Sequence, residues 1–324
     1  MTPSSPRSTS AMAPAPAPAP SAKAVLFDYR QAANPVRAGL TEPIPDRCWS
    51  PQLYRSASSG VIPLDLSAEL GIDGPATSPG LAAHFVRIHP GEGIKAAAEA
   101  TSSLFYVLSG QGRCHRQAQG SSPAVSLNWQ QGDLFVLPAG DAPLLEADAD
   151  SVLYWVHDAP LLRHLGVTAS TPRFEATHYP GQWLRQELES LATDPSSARS
   201  NRLSLLLGNR DLPASRTVTH VLWAMFGMVP AGAVQPPHRH QSVALDLIVA
   251  CESGCYTLVG TELNPDGSIR NPRRIDWEAG GAFITPPGHW HAHVNGSDAP
   301  AFLLPIQDAG LQTYLRSLDI RFAG

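Results

Sequence analysis

The 324-residue chain is poor in charged residues, in cysteine and in long apolar runs, and each shortage excludes a class of protein. Charged residues make up only 16% of the sequence and the formal net charge is -5, so no basic face is available for nucleic acid or an anionic membrane. Proline, glycine or a charged residue interrupts every apolar run well short of the ~20 residues of a transmembrane helix. The four cysteines are too few and too scattered for a disulfide scaffold, so we expect reduced thiols in a cytoplasmic protein.

Proline and glycine are abundant by contrast, with 31 and 26 residues. They separate many short apolar and β-branched runs, a pattern typical of antiparallel barrels and sandwiches. The runs form two groups, 82–88, 104–108, 134–137 and 152–156, then 217–229, 244–250, 256–259, 282–285 and 301–304. Between the groups, residues 180–191 carry apolar side chains at helical spacing. The sequence therefore predicts two all-β units joined by a helical connector.

Residues 1–24 have a different composition. They are rich in Ser, Pro and Ala and include Ala-Pro repeats from Ala13 to Pro20, without the apolar region of a signal peptide. We expect a disordered tail that favours the polyproline II conformation.

Histidines in the second group of strands indicate a metal site. His238 and His240 are two residues apart, so on a strand both imidazoles lie on the same face of the sheet. His291, which follows a Pro-Pro-Gly turn, is placed to add a third imidazole from a neighbouring strand. The alternative is that these histidines merely line a polar loop.

The spacing around these histidines resembles the two motifs of the cupin superfamily, small antiparallel β-barrels that hold a metal in their mouth. The matching residues are Gly232, His238 and His240 in the first motif, and Gly280, Pro286, Gly288, His291 and Asn295 in the second. The one departure is the glutamate of the first motif, whose position holds Ala244 or Leu245.

The same template fits the first half of the chain only in its turn residues, Gly91, Gly110, Gly132, Pro138 and Gly140. The ligand positions hold Ala97, Glu99 and Pro143, and neither alanine nor proline can coordinate a metal. The resemblance thus implies an all-β bicupin, with two tandem antiparallel β-barrels (double-stranded β-helix) and a short helical connector. We expect a degenerate N-terminal barrel without metal over 25–165, the connector over 166–215, and the metal-binding barrel over 216–324.

A closer resemblance is to gentisate 1,2-dioxygenase and its salicylate and hydroxynaphthoate relatives. It is carried by the run HRHQSVALDLIV from His238, by Cys255-Tyr256-Thr257, and by WHAHVN from Trp290. This family implies Fe(II) on three histidines, although Mn, Ni, Cu or Zn would fit the same ligands. The chain departs from the family in three places: its metal-bearing barrel is the second rather than the first, Ser242 replaces a glutamine, and Asp246 replaces an arginine.

Asp246 is the departure with the clearest chemical consequence. On a strand it shares a face with Ala244, so it should point into the barrel near the metal. The resemblance implies that the arginine helps to hold a substrate carboxylate, which an acid would repel. The substrate then presents an amine or hydroxyl to Asp246, or another arginine pairs with the carboxylate. Two alternatives are an acid satisfied by a local hydrogen bond and a displaced fourth ligand.

Other candidate residues follow from the resemblance. His293 corresponds to a second histidine of the family and is predicted to act as an acid or base on the substrate hydroxyl or dioxygen. Ser242, Gln241 and Asp308 are predicted to bind substrate together with Asp246.

The resulting hypothesis is an Fe(II)-dependent, ring-cleaving dioxygenase that degrades a gentisate-like or salicylate-like aromatic acid with O2. Its partners would be this small molecule and dioxygen, with no nucleic acid and no membrane, in a homodimer or homotetramer. The alternatives are a non-oxygenase cupin enzyme, such as a decarboxylase or isomerase, and a metal-binding small-molecule sensor.

Overall fold

The computed structural model describes residues 23–118, 120, 123–199 and 203–323. The predicted disordered tail, apart from its last two residues, lies outside this part of the chain. Strands dominate the described residues, and every assigned strand pair is antiparallel, from the β2–β3 pairing near the start to the β14–β21 pairing at the end.

The strands, in chain order, are β1 (Cys48–Trp49), β2 (Gly60–Pro63), β3 (Ala82–Ile88), β4 (Gly93–Lys95), β5 (Ser102–Ser109), β6 (Gln111–Arg116), β7 (Val125–Gln130), β8 (Leu134–Pro138), β9 (Leu144–Ala147), β10 (Ser151–His157), β11 (Thr177–Tyr179), β12 (Leu203–Leu207), β13 (Trp223–Val229), β14 (His238–His240), β15 (Ala244–Ala250), β16 (Cys255–Gly260), β17 (Arg273–Asp276), β18 (Ala282–Thr285), β19 (Trp290–Asn295), β20 (Ala301–Gln307) and β21 (Ile320–Phe322).

The helices are short, apart from one in the connector. They are α1 (Tyr29–Ala32), α2 (Gln52–Arg55), α3 (Ser67–Leu70), α4 (Ala159–Leu165), α5 (Gly181–Thr193) and α6 (Ala309–Leu315), with a 3-10 turn at Pro195–Arg199. The helix predicted over 180–191 is confirmed as α5, which buries Leu184 and Leu188. Within the described ranges, no helix combines the length and apolar character needed to span a membrane.

Four sheets build two barrels. In the N-terminal barrel, a six-stranded sheet in the order β11-β8-β5-β10-β3-β2 faces a four-stranded sheet in the order β4-β9-β6-β7. In the C-terminal barrel, the order β1-β18-β15-β20-β13-β12 faces the order β17-β16-β19-β14-β21. The predicted class, all-β with two tandem antiparallel barrels and a helical connector, is confirmed.

The described residues form three apolar cores that stabilise this arrangement. One fills the N-terminal barrel around Phe105 and Trp155, and another fills part of the C-terminal barrel around Phe283. The largest joins the outer faces of the two six-stranded sheets and includes Tyr154 and Phe226. Because successive residues of a strand face opposite sides, each six-stranded sheet contributes to its own barrel and to this shared core.

Two segments of the chain pair with strands outside the unit to which the sequence assigns them. Strand β1 lies within the residues predicted for the N-terminal barrel but pairs with β18 of the C-terminal barrel. Tyr54 follows it and donates a hydrogen bond from its hydroxyl to the carbonyl of Gly280, at 3.1 Å. Within the connector, β11 pairs with β8 and β12 pairs with β13. The predicted residue limits of the domains stay a prediction.

Candidate metal centre

Two neighbouring strands of the C-terminal barrel bring the three predicted ligands together. His238 and His240 lie on the inner face of β14, and His238 is directly opposite His291 on β19. Arg239, between the two histidines, faces outward, and its guanidinium lies 5.2 Å from the ring centroid of Trp290. The alternation of β14 therefore separates the imidazoles from a charged outer surface, as the sequence predicts.

The three imidazoles are close and almost completely buried. His238, His240 and His291 are 0%, 3% and 2% exposed, and their nearest ligand nitrogens all lie within 4.8 Å of one another. The ring centroids of His238 and His291 are 3.8 Å apart, and those of His240 and His291 are 4.9 Å apart. The described residues contain no second cluster of three or more His, Cys, Asp or Glu side chains with such spacing.

Backbone carbonyls set the tautomers of two of these histidines. Nδ1 of His240 is 2.8 Å from the carbonyl oxygen of Ser242, and Nδ1 of His291 is 3.0 Å from the carbonyl oxygen of His289. A carbonyl only accepts, so each Nδ1 carries the proton and each Nε2 presents a lone pair. Carbonyl partners of this kind commonly orient histidine ligands of metals. The donor set therefore fits a divalent metal ion.

The Pro-Pro-Gly turn holds the two ligand strands in register. Gly288 adopts a φ of 74°, a left-handed conformation that glycine allows without strain. Its N–H donates to the carbonyl of His240 at 2.7 Å, so the turn before His291 is tied to the first ligand strand.

His293 lies two residues beyond His291 on the same face of β19. It is 2% exposed, and its ring centroid is 5.8 Å from that of His291. Its Nδ1 is 2.9 Å from the hydroxyl oxygen of Thr257, which also accepts a hydrogen bond from the indole N–H of Trp277 at 2.8 Å. These contacts hold the ring beside the triad without making it one of the three clustered ligands.

Asp246 lies on the inner face of β15, as its spacing from Ala244 requires. It is 2% exposed, and the hydroxyl of Thr285 donates to its Oδ2 at 2.8 Å. A local hydrogen bond therefore does satisfy part of this carboxylate, and the metal-ligand cluster does not include it. Its role in substrate choice stays a prediction.

Of the three remaining residues predicted to bind substrate, one lies inside the barrel and two lie outside it. Ser242 is buried, and its hydroxyl is 3.1 Å from Nδ1 of His240. Gln241 is exposed, and its backbone carbonyl accepts from the side chain of Gln312 at 3.1 Å. Asp308 precedes α6 and accepts from the backbone N–H of Val243 at 3.0 Å, and burial raises its pKa to about 6. The structure does not bring the side chains of Gln241 and Asp308 to the triad.

Sequence reasoning missed two residues of the site. Gln307, at the end of β20, is 3% exposed, and its Nε2 lies 3.5 Å from Nε2 of His240. Trp223 lies directly opposite Gln307 on β13, and its buried indole N–H has no hydrogen-bond partner in the structure. Neither belongs to a cupin motif. Trp223 lies in the predicted run 217–229, whereas Gln307 lies three residues beyond the predicted run 301–304.

Among the described residues of the N-terminal barrel, no three potential metal-binding side chains cluster as these histidines do. Ala97 and Glu99, which the template places in ligand positions, are exposed, and Ala96 and Ala98 pack against the barrel core instead. Arg116 is 5% exposed and donates to the carbonyl of Pro138 at 2.7 Å. A buried guanidinium disfavours a metal cation in its immediate neighbourhood. The lack of metal in this barrel stays a prediction.

Three enzymes with similar sequences match parts of the chain. A gentisate 1,2-dioxygenase of Aquipseudomonas alcaligenes is 30% identical over 162 residues, which cover 48% of this chain and 43% of that protein. A 5-aminosalicylate 1,2-dioxygenase of Comamonas sp. is 30% identical over 36% of this chain and 29% of its own length. A 1-hydroxy-2-naphthoate 1,2-dioxygenase of Nocardioides sp. (strain KP7) is 27% identical over 52% of this chain and 40% of its own length. The matches thus span less than half of each relative.

Solved structures extend the similarity of fold to most of the chain. Salicylate 1,2-dioxygenase of Pseudaminobacter salicylatoxidans superposes with a TM-score of 0.65 at 12% identity, covering 86% of this chain and 88% of that one. An oxalate decarboxylase variant of Bacillus subtilis gives a TM-score of 0.55 at 14% identity, covering 81% and 76%. No family model matches the sequence. The bicupin fold and the resemblance to gentisate-type dioxygenases are confirmed.

Proposed function

We propose that the protein is an Fe(II)-dependent dioxygenase that cleaves the ring of a hydroxylated aromatic acid with O2. The observation that carries the proposal is the buried triad of His238, His240 and His291, which no acidic side chain of the described residues joins. The three curated relatives, each named as a 1,2-dioxygenase of an aromatic acid, support the same reaction class.

The three histidines would leave the positive charge of a bound metal ion uncompensated and part of its coordination sphere open. Three neutral imidazoles leave the charge of a divalent ion intact, which favours an anionic substrate that binds through two oxygens. When bound, Fe(II) would act as a Lewis acid and hold the substrate and O2 side by side. Ala244, in the position of the glutamate of the cupin motif, adds no ligand on this side of the triad.

His293 is suited to move a proton at the edge of this space. Thr257 accepts from Trp277, so its own hydroxyl hydrogen is available to Nδ1 of His293, and Nε2–H then faces the barrel interior. In this tautomer the ring can donate to a substrate oxygen. With the opposite tautomer, Nε2 accepts a proton from a substrate hydroxyl.

Asp246 favours a substrate that carries a hydrogen-bond donor. A carboxylate facing a substrate carboxylate about 5 Å away would cost about 3 kcal/mol at an effective dielectric constant of 20. Arg270 and Arg273 line a surface cavity of about 460 Å³ that also touches His289, but both are paired with acids, Glu262 and Asp46. We therefore favour an amino- or hydroxy-substituted acid whose donor group faces Asp246. The similarity to an enzyme named for 5-aminosalicylate agrees with this class.

The proposal includes a homodimer or homotetramer in the cytoplasm. The apolar side chains of Val25, Leu26, Phe27 and Tyr29 are exposed near the start of the described chain and offer a surface for a second copy. All four cysteines are free thiols, which suits a reducing compartment.

The test combines metal analysis of anaerobically purified protein with oxygen uptake on a panel of gentisate, salicylate, 5-aminosalicylate and 1-hydroxy-2-naphthoate. We expect one metal ion per chain and O2 consumption that requires Fe(II). Product formation without O2 uptake would instead indicate a non-oxygenase cupin enzyme. Thermal stabilisation by an aromatic acid without any product would indicate a sensor.

A further inference from the structure

Gln307 lies beside the position of the coordinating glutamate in the cupin motif. It is directly opposite Ala244 on β15, the residue that occupies the glutamate position in the sequence. Opposite residues on one face of an antiparallel pair have Cβ atoms about 4.5–5.5 Å apart. The small side chain of Ala244 therefore leaves room for the longer amide of Gln307.

A chain of hydrogen bonds fixes which end of this amide faces the triad. The carbonyl oxygen of Ser242 only accepts, so Nδ1 of His240, 2.8 Å away, carries a proton. The hydroxyl of Ser242 lies 3.1 Å from the same N–H and accepts from it, which leaves the hydroxyl hydrogen free to donate. That hydrogen goes to Oε1 of Gln307, at 2.8 Å.

The amide nitrogen of Gln307 is consequently turned toward the metal-binding nitrogen of His240. The distance between the two Nε2 atoms is 3.5 Å. In the structure the amide contacts the lone pair of His240 Nε2, the position that a bound metal would take, so with the metal in place its hydrogens would face the ligands of that metal. A glutamate at this place would present a negative oxygen, whereas the glutamine presents a neutral donor.

We propose that Gln307 binds an anionic oxygen of the substrate beside His240. Asp246 lies two residues from Ala244 on the same strand face, roughly 6–7 Å along the barrel. The pocket is therefore polarised, with a donor at Gln307 and an acceptor at Asp246. A substrate is held with its anionic oxygens toward Gln307 and its amine or hydroxyl toward Asp246. This inference rests on the metal centre of the proposed function, but not on ring cleavage.

The test measures anion binding to the metal-loaded protein rather than turnover. Co(II)-loaded wild-type protein and a Gln307→Leu variant are titrated anaerobically with azide, and binding is followed in the visible spectrum of Co(II). Leucine keeps the approximate volume and removes the donor. We expect both proteins to hold one Co(II), and azide to bind the variant about tenfold more weakly, the lower end for a hydrogen bond to a charged group.

Two further variants separate this role from general packing. Ser242→Ala removes the hydroxyl that orients the amide and should weaken azide binding by a smaller factor, about threefold. Gln235→Leu is the matched control, because Gln235 is a buried glutamine of the same barrel that lines a separate cavity beside Pro195 and Met228. It should bind azide as the wild type does.

Either of two results would overturn the inference. One is Gln307→Leu protein that holds stoichiometric Co(II) and binds azide within twofold of wild type. The other is loss of Co(II) from that variant, which would make Gln307 a metal ligand or a structural residue. Absence of oxygen uptake with aromatic acids would count against the proposed function alone, because azide binding does not depend on the reaction.

Discussion

At the scale of single residues, the site is organised by backbone carbonyls that orient histidine rings. His289 contributes through its main chain, because its carbonyl oxygen orients the ring of His291. Its own ring is half-buried and lies outside the cluster of three histidines. The main chain and the side chain of one residue thus have separable roles, which allows a matched pair of substitutions.

We predict that His291→Ala removes most of the bound metal and all activity, because two imidazoles alone leave the site incomplete. His289→Ala keeps the carbonyl and should retain one metal ion per chain. Elemental analysis of both variants after dialysis checks the assignment. Stoichiometric metal in His291→Ala would contradict it.

We predict that His293→Ala retains the metal but slows turnover by ~10²-fold, the low end for a lost general acid or base. The reason is its position beside, rather than within, the ligand cluster. Metal content and steady-state rates are measured on the same preparations. Thr257→Val, which removes only the hydroxyl that contacts Nδ1, should give a smaller loss. If His293→Ala loses its metal, the ring is a ligand.

We predict that gentisate is a poor substrate and that Asp246→Asn relaxes the discrimination between simple and amino-substituted hydroxybenzoates. The buried carboxylate disfavours a second negative charge nearby, and the amide does not. Asp246→Arg should improve the binding of simple hydroxybenzoates. The measurement is kcat/KM for each acid. Wild-type turnover of gentisate at ~10⁴ M⁻¹s⁻¹ or better would mean that Asp246 does not face the substrate.

The clustering of the three histidines could be predicted from sequence because motif spacing and strand alternation determine it. His238 and His240 needed only the two-residue repeat of a strand, and Asp246 was placed by the same rule. Gln307 could not be predicted, because it meets Ser242 through a strand pairing between segments 65 residues apart. The sequence resemblance points to the neighbouring Asp308, yet the inward-facing residue at this end of β20 is Gln307.

At the scale of secondary-structure elements, central strands were easier to predict than edges. The predicted runs 82–88, 244–250 and 282–285 coincide with β3, β15 and β18, whose residues are largely buried on both faces. The edge strands β1 and β21 are only two and three residues long and exist through pairing with β18 and β14. Within the predicted run 217–229, the strand begins only at Trp223. Before it, the hydroxyl oxygen of Thr219 accepts hydrogen bonds from the backbone N–H groups of Val221 and Leu222, which form a turn.

Two strands of the N-terminal barrel carry a buried histidine stack with a consequence for acid stability. His84 on β3 and His157 on β10 have ring centroids 5.0 Å apart and both contact Trp155. Burial lowers the pKa of His84 to about 4 and lowers that of His157 well below its usual value. The nearby charged groups are Asp65, which favours the protonated form of His84, and Arg163, which disfavours it in both rings.

The unfolded chain therefore binds more protons than the folded one between pH ~6.5 and pH ~4, and the free energy of unfolding falls as the pH decreases through this range. His84 alone should contribute a loss of about 3 kcal/mol across that window. Asp308 opposes this in part, because its raised pKa makes folding less favourable as the pH rises from ~4 to ~6.

The check is denaturant unfolding of metal-free protein at several pH values between 4.5 and 7. His84→Gln should reduce the slope of unfolding free energy against pH. His164→Gln, exposed on α4, should keep the wild-type slope. An unchanged slope in His84→Gln would show that this ring does not control the acid response.

At the scale of the whole molecule, the two barrels share more structure than a two-domain sequence pattern suggests. The largest apolar core lies between their six-stranded sheets and includes Leu188 of the connector helix α5. Strand β1 adds an N-terminal segment to the C-terminal barrel. Composition and run spacing revealed two units, but not this interface, because side chains facing the other barrel and side chains facing the barrel interior are equally apolar.

We predict that the two barrels unfold as one cooperative unit, so that damage to the N-terminal barrel releases metal from the C-terminal one. Leu153 is fully buried inside the N-terminal barrel. Leu153→Ala should lower the free energy of unfolding by about 2–5 kcal/mol, the usual cost of such a cavity.

The denaturant midpoint for metal release should fall together with the midpoint for loss of structure, measured at one metal concentration because bound metal itself stabilises the folded state. Leu144→Ala, at a side chain 39% exposed on β9, is the control and should shift neither midpoint appreciably. Metal release that stays at the wild-type midpoint in Leu153→Ala, while N-terminal structure is lost earlier, would mean that the barrels unfold independently. The shared core would then be a docking interface rather than part of a single folding unit.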